Sequence, residues 1–431
     1  MEKIRIKSLG PVRNFEMEIK KYNLFIGEQA TGKSTIGKAI YYFRTIKDIV
    51  ISYFYQISLK GAKGHWDSSA DSLVRELQDY FQDIFDYIDN ADTVYEYSAE
   101  IKITMKMDSK WIKSDFSEGI HAFMWGMEAD CIQFHQELLK QDKTIEFLAE
   151  EKQHWYEEIE MRVNQLFGDD KKNYYIPAGR SMTSLLAKQK TYLNYGNMDI
   201  INRRFMQLIE GMQDNFDQGI KKAVSHFKES EKKAEYENAA DTIIEGLKGE
   251  YFFNSGKETI LLQKSNKSIP IDYASSGQQE VLWLFNFLYI LMLRKKESFV
   301  IIEEPEAHLY PKLQKQVIDF ITEFSNLTNS SVLITTHSPY TLTCINNLFY
   351  AGSLYQKTKH ESIQKFMGNK MIFPDGLQVL KLSLAEDATY YEDIIDHDFM
   401  ELKTELIDEV TDYISSEYTK LFYMGETDEN K

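Results

Sequence analysis

Three stretches of this sequence suit phosphate chemistry: two combine glycine with charged or hydroxyl side chains, and a third ends an apolar run in paired acids. GEQATGKST, Gly27 to Thr35, has the spacing G-x-x-x-x-G-K-[ST], with Gly27, Gly32, Lys33 and Ser34 in the specified places. Glycines there let backbone N–H groups turn inward around a phosphate, and a following helix start adds its positive end. The loop residues Gln29, Ala30 and Thr31 complete the cradle. Lys33 is predicted to reach the β- and γ-phosphates, and the Ser34 hydroxyl to ligate Mg²⁺, so the stretch predicts a site for ATP. In YASSGQQEVLWLF, Tyr273 to Phe285, the residues Ser275, Ser276, Gly277 and Gln278 open an apolar helical run. Small residues at a helix start make a second anion site; the alternative is a plain N-cap serine ahead of a core helix. Two phosphate cradles in one chain imply two nucleotides or two subunits. FVIIEEPEAHLYP, Phe299 to Pro311, ends an apolar run with Glu303 beside Glu304. Adjacent like charges are unfavourable unless a cation or a reaction uses them; otherwise this is a strand that ends in acidic loop residues.

The elements around these stretches decide whether they can meet. IRIKSL and YNLFIG read as strands, and STIGKAIYYFRTIKDIV, after the glycine loop, as a helix. The last third alternates VLWLFNFLYILMLRKK, FVIIEE, PKLQKQVIDFITEFS and SVLITTHS, which predicts helix, strand, helix, strand and a sheet with parallel strands. From about Ser52 to Lys172 the pattern is mainly helical. The exception is a strand in which Ile101, Ile103, Met105 and Met107 alternate with polar residues. NYYIPAGRS reads as a returning strand, with Arg180 directed at a phosphate, a partner or a plain ion pair. Trp111, Trp125 and Trp155 are assigned to core packing or an interface.

The chain has 431 residues, enough for one large core or about two to three smaller ones. It carries a net charge of −17, with 43% hydrophobic and 27% charged residues. The acidic balance argues against coating nucleic acid over the whole surface, which leaves nucleic-acid contact as an indirect one. No run is apolar enough to span a bilayer, and the N-terminus lacks a signal-peptide core. Cys131 and Cys344 are too few for a disulfide framework or a cysteine metal site, so a cytoplasmic protein is expected.

With these residues in view, the chain resembles ABC-type ATPase heads of the SMC/RecF/OLD-like class. SSGQQE is similar to their signature loop, FVIIEEPEAHLYP to the Walker B strand running into the D-loop, and VLITTHSP to the strand ending in a switch histidine, His337. The wording EEPEAHLYP and TTHSPYTL is closest to OLD-like ATPases and to ATPase subunits of anti-phage systems such as Septu and PARIS; YIPAGRS also resembles a segment of those. The resemblance implies an α/β fold, an ABC-type P-loop ATPase head with a mixed sheet and a largely helical insertion. It implies that Lys33, Ser34 and Thr35 bind phosphates and metal, that Glu303 serves Mg²⁺, and that Glu304 activates water. By the same resemblance His337 senses the γ-phosphate, and Ser275 to Gln278 close over the nucleotide of a second subunit. A homodimer or higher homo-oligomer follows, in which ATP is sandwiched. Two departures stand out: Glu303 occupies the usual aspartate position, and Gln141 and Gln153 are only positional candidates for a glutamine loop.

The expected organisation has the first part of the head at 1–50 and a mainly helical insertion at 51–172. A return strand and helical segment at 173–250 precede the second part of the head at 251–350 and a strand and helix extension at 351–431. His308 is either a D-loop residue at a dimer interface or a structural histidine. OLD-like enzymes add a TOPRIM nuclease domain, and the acidic stretch AEDATYYEDIIDHDFMELKTELIDEV instead reads as a C-terminal amphipathic helix. Any effector chemistry, such as a nuclease, is therefore assigned to a separate protein. Two other readings remain: an SMC/RecF-like repair ATPase acting on DNA, and a nucleotide-gated scaffold with negligible turnover.

Overall fold

A computed structural model describes residues 2–61, 69–109, 111–140, 145–181, 198–223, 233–385 and 388–403, with 416 and 419. The chain opens with a hairpin, β1 (Lys3–Leu9) and β2 (Val12–Glu18), and then enters β3 (Tyr22–Gly27) and the long helix α1 (Lys33–Lys60). Next come α2 (Ser69–Ile84), β4 (Asn90–Glu96), β5 (Lys102–Asp108), β6 (Trp111–Phe116), α3 (Glu118–Lys140), α4 (Ile145–Phe167) and β7 (Lys172–Ile176). The middle section holds α5 (Ile200–Glu210), the single turn α6 (Ile220–Ala223) and α7 (Lys233–Leu247), followed by the three short strands β8 (Gly249–Asn254), β9 (Lys257–Leu262) and β10 (Ser268–Pro270). After these come α8 (Ser276–Leu293), β11 (Ser298–Glu303), α9 (Pro311–Thr328) and β12 (Ser331–Thr336). The described chain continues with α10 (Pro339–Thr358), α11 (Glu361–Met367), β13 (Leu377–Ala385) and β14 (Ala388–Asp393).

The central sheet has the order β14-β13-β3-β12-β11-β7. Five strands run parallel, and β14 is an antiparallel edge. β11 and β12 are buried at every position, as expected for parallel strands covered on both faces. Alternation along each strand sorts the side chains between two cores. Leu24, Ile26, Val300, Ile302, Val332 and Ile334 pack against α7 to α10; Phe25, Phe299, Ile301 and Leu333 pack against α1 and the inserted elements. The register pairs Ile26 with Thr336 and Glu303 with Thr335, so three strands end at one edge of the sheet. The crevice beyond the carboxyl ends of such strands is where α/β sheets hold ligands.

The mixed α/β fold agrees with the expectation, and two details of the reading are corrected. The insertion contributes three strands rather than one: β4, β5 and β6 extend the first hairpin into a five-stranded antiparallel sheet, β2-β1-β4-β5-β6. The inward positions of β4 are Ala91, Thr93 and Tyr95, a weak apolar signal that only pairing with β1 makes a strand. The acidic segment from Ala385 is not a helix among the described residues; it finishes β13 and folds back as β14, while 404–415 lie outside the description. β13 pairs with the buried β3, and β14 lays Tyr391 on Phe15 at 4.8 Å. Sheet pairing there overrides a helical charge pattern. Trp155 stacks on Phe134 at 4.7 Å, whereas Trp111 and Trp125 are exposed and are not core. No helix among the described residues is long and apolar enough to cross a membrane.

Candidate active site

β3 delivers the chain into a tight loop, and α1 begins at Lys33 with Gly32 as its N-cap in the left-handed region, φ 91°. Glycine is required at both ends of this loop. A Cβ on Gly27 would lie 2.0 Å from the Leu382 carbonyl oxygen, and one on Gly32 would lie 2.7 Å from Val12. Ala30, between them, is also left-handed at φ 62°. Lys33 Nζ sits within the loop, donating to the carbonyls of Gly27 (2.7 Å) and Glu28 and to Thr31 Oγ1 (3.2 Å). An ammonium has three protons, so a phosphate oxygen reaches Lys33 only by replacing one of these acceptors; Thr31 holds it at the longest distance. Thr389 of β14 donates Oγ1–H to the Thr31 carbonyl at 2.8 Å. The loop is therefore braced by a strand more than 350 residues away in sequence. Gln29, Ala30 and Ser34 are exposed and Thr35 is buried.

Burial pushes the Lys33 ammonium down to about 8, against the raising effect of Glu304, Glu306 and Glu28. A cation that loses its proton near pH 8 stops attracting phosphate above that pH. ATP affinity is expected to weaken as pH rises from 8 to 9.5, by up to about tenfold per pH unit. In the free protein the sign is opposite: the folded state holds fewer protons than the unfolded one between about 8 and 10.5, so this residue makes stability rise with pH across that window. Titration of a fluorescent ATP analogue from pH 7 to 9.5 checks the prediction, and affinity independent of pH would refute it.

At the ends of β11 and β12 the two glutamates have different surroundings. Glu303 is buried; its carboxylate accepts from the Tyr175 hydroxyl at 2.7 Å and from the Ala178 N–H at 3.1 Å. Each of its oxygens keeps lone-pair capacity, and with the Ser34 hydroxyl the donor set is all oxygen, the chemistry of a hard divalent cation. Glu304 turns the other way. Its Oε1 is 2.8 Å from His337 Nε2, and His337 Nδ1 is 2.8 Å from the Gly27 carbonyl. A carbonyl only accepts, so Nδ1 carries a proton, and a further proton must lie between Nε2 and the carboxylate. A continuous chain thus links Glu304 through His337 to the first residue of the phosphate loop. Glu304 is 37% exposed, which leaves its carboxylate open to water. Its backbone is left-handed at φ 41°, an arrangement that costs a non-glycine residue on the order of 1–3 kcal/mol.

Glu306, Tyr175 and Glu280 escaped the sequence reading. Glu306 accepts from Thr336 Oγ1 (2.6 Å) and the His337 N–H (2.8 Å), fixing His337 from behind. Its other oxygen is buried without a hydrogen-bond partner among the described residues. Its available signal was its place two residues past Glu304 in the same motif. Arg180 faces no phosphate: it is fully buried, and of its alternatives the ion pair is what forms, with Glu280 at 3.4 Å.

The structure brings Gly27 to Thr35, Glu303, Glu304 and His337 to one edge of the sheet, and it puts Ser275 to Gln278 elsewhere. Ser275 is the N-cap of α8 in a capping box with Gln278, and Gln278 also donates to the Leu247 carbonyl. Gly277 approaches the backbone of His308, where a Cβ would meet the carbonyl oxygen at 3.1 Å. Ser276, Gly277, His308, Lys248, Lys264 and Lys312 line one open groove. His308 is exposed and left-handed, φ 58°. Gln153 on α4 bonds Glu157, and Gln141 lies outside the described residues.

Residues 1–342 match the protein family described as an AAA ATPase domain. No curated protein matches the chain. Among solved structures, it is similar to an SMC head bound to the C-winged helix domain of ScpA, at 12% identity over 91% of this chain and 97% of that one, TM-score 0.43. It is similar also to the SMC head domain from Thermotoga maritima, at 9% identity over 91% and 98%, TM-score 0.38. The sheet order and the phosphate-loop conformation, rather than these likenesses, set the fold class.

Proposed function

Since the chain belongs to the AAA ATPase domain family, with a match that spans residues 1–342, we propose that it binds ATP with Mg²⁺ and hydrolyses it, with two copies sandwiching the nucleotide. The observation that carries this is the hydrogen-bonded chain from Glu304 through His337 to Gly27, which ties a solvent-open carboxylate to the phosphate loop. Lys33 and the N–H groups of the loop and of the α1 start hold the β- and γ-phosphates. Ser34 and Glu303 hold Mg²⁺, which neutralises charge on the phosphate oxygens when bound. Glu304 orients the attacking water and accepts its proton, while His337 keeps the carboxylate in place and reports the γ-phosphate to Gly27. Ser275 to Gln278 of a second copy supply the helix N-terminus that closes over that phosphate. The exposed Ser275 and Ser276, with the half-buried Gly277, beside a groove lined by three lysines support this assignment.

Phosphate release measured against protein concentration, with and without Mg²⁺, tests the reading. Specific activity should rise with concentration as pairs form; activity per chain that is constant over a hundredfold range would exclude the sandwich. The resemblance of EEPEAHLYP, TTHSPYTL and YIPAGRS supports a wider role, as the cytoplasmic motor or sensor subunit of an anti-phage complex that controls a separate nuclease. Phage plating with and without the neighbouring genes decides that role.

A further inference from the structure

A buried polar assembly beside the site is built around Arg180, which the proposed chemistry leaves unused. Its guanidinium has no exposed surface and contacts three elements at once. NH1 donates to the Pro177 carbonyl (3.0 Å) after β7 and to the Glu303 carbonyl (2.7 Å) at the end of β11. NH2 donates to the carbonyl of Glu304 at 2.9 Å. Nε donates to the Glu280 carbonyl at 3.0 Å, on the second turn of α8. The Glu280 carboxylate closes the assembly by accepting from the backbone N–H groups of Arg180 and Ser181 and from Ser181 Oγ.

Buried ion pairs add little net stability compared with apolar packing, so what such a clamp supplies is position. Glu304 is where position is demanding. Its left-handed backbone is gripped from one side by the Thr335 carbonyl, which accepts its N–H at 2.9 Å, and from the other by Arg180. The far end of the clamp, Glu280, is two residues beyond Gln278 on the same rigid helix that begins at Ser276. A push or rotation of α8 at its exposed N-terminus therefore reaches the Glu304 carbonyl through one guanidinium.

We propose that Arg180 with Glu280 is a positioning unit that couples α8 to Glu304, so that a second copy docking on one protomer's signature loop sets the hydrolytic geometry of that same protomer. The inference rests on the sandwich reading and deepens it: each copy's signature loop completes the partner's site and also reports occupancy to its own. Arg180→Lys keeps a buried cation, but three donors on one nitrogen cannot replace a planar fork that reaches four carbonyls on three elements. It should bind a fluorescent ATP analogue within twofold of wild type and pair at the same concentrations in ATP. Its kcat should fall on the order of 10²-fold, because small misplacements of catalytic groups have effects of that size. In wild type kcat rises as pairs form; in Arg180→Lys pairing and kcat separate.

Should Arg180→Lys fail to fold, Glu280→Gln and Ser181→Ala trim the same clamp from its other end. They should show the same signature, unchanged affinity and pairing with lowered kcat. Wild-type kcat in the folded variants, or ATP affinity falling in step with kcat, overturns the coupling while leaving the sandwich intact. Concentration-independent turnover by wild type overturns both.

Discussion

Replacing Glu304 with glutamine should leave ATP binding intact, lower phosphate release by about 10²–10⁴-fold and accumulate an ATP-bound pair. The substitution removes the base and little else. Glutamine has the same length, and its amide can donate to His337 Nε2 while Nδ1–H stays on the Gly27 carbonyl, so the chain of contacts persists with a neutral imidazole. The Arg180 contact is to the backbone carbonyl of Glu304 and is unaffected by the side chain. Single-turnover phosphate release, with light scattering of the protein in Mg²⁺ and ATP, checks both halves. Hydrolysis at the wild-type rate would remove Glu304 from its assigned role. Loss of ATP binding would mean that the carboxylate holds the nucleotide rather than the water.

The second large effect belongs to Gly277→Asp. A carboxylate in the first turn of α8 is favourable to the helix itself, and the Cβ contact of 3.1 Å with His308 needs only a small adjustment. The chain should fold and bind ATP as a single copy. The same charge occupies the seat proposed for a partner's γ-phosphate, and like charges brought together at an interface cost several kcal/mol, so pairing and turnover should fall about 10²-fold or more. Mixing with Lys33→Met gives a sharper check. One variant retains its phosphate loop and the other its signature loop, so the mixture should form ATP-dependent pairs that neither forms alone. Absence of mixed pairs in ATP, with both variants folded, would place the signature loop outside the nucleotide site.

Much of the local chemistry was legible because it depends on near neighbours. Gly27, Gly32, Lys33 and Ser34 form a cradle through backbone geometry set within eight residues, and both glycines are where the conformation demands them. The apolar runs of β11 and β12 mark strands buried on both faces, so the polar residues that follow them had to emerge at the sheet edge. The extension beyond β12 was far less legible. ATYYED at Ala388–Asp393, two tyrosines followed by two acids, fits a helix face as readily as a strand until β13 offers an edge to pair with. Likewise, adjacent glutamates in a sequence carry no sign of which will meet the histidine.

A phosphate-loop motif, an acidic strand end and a strand-end histidine could be read directly from the residues, because each is a property of a few consecutive positions. The tertiary structure alone decided that Glu304 and not Glu303 faces His337, that β14 braces the cradle through Thr389, and that Arg180 is a clamp rather than a phosphate ligand. The reason is physical: these outcomes depend on the order and register of strands distant in sequence. That order is selected by burying both faces of a sheet together with every polar group it encloses.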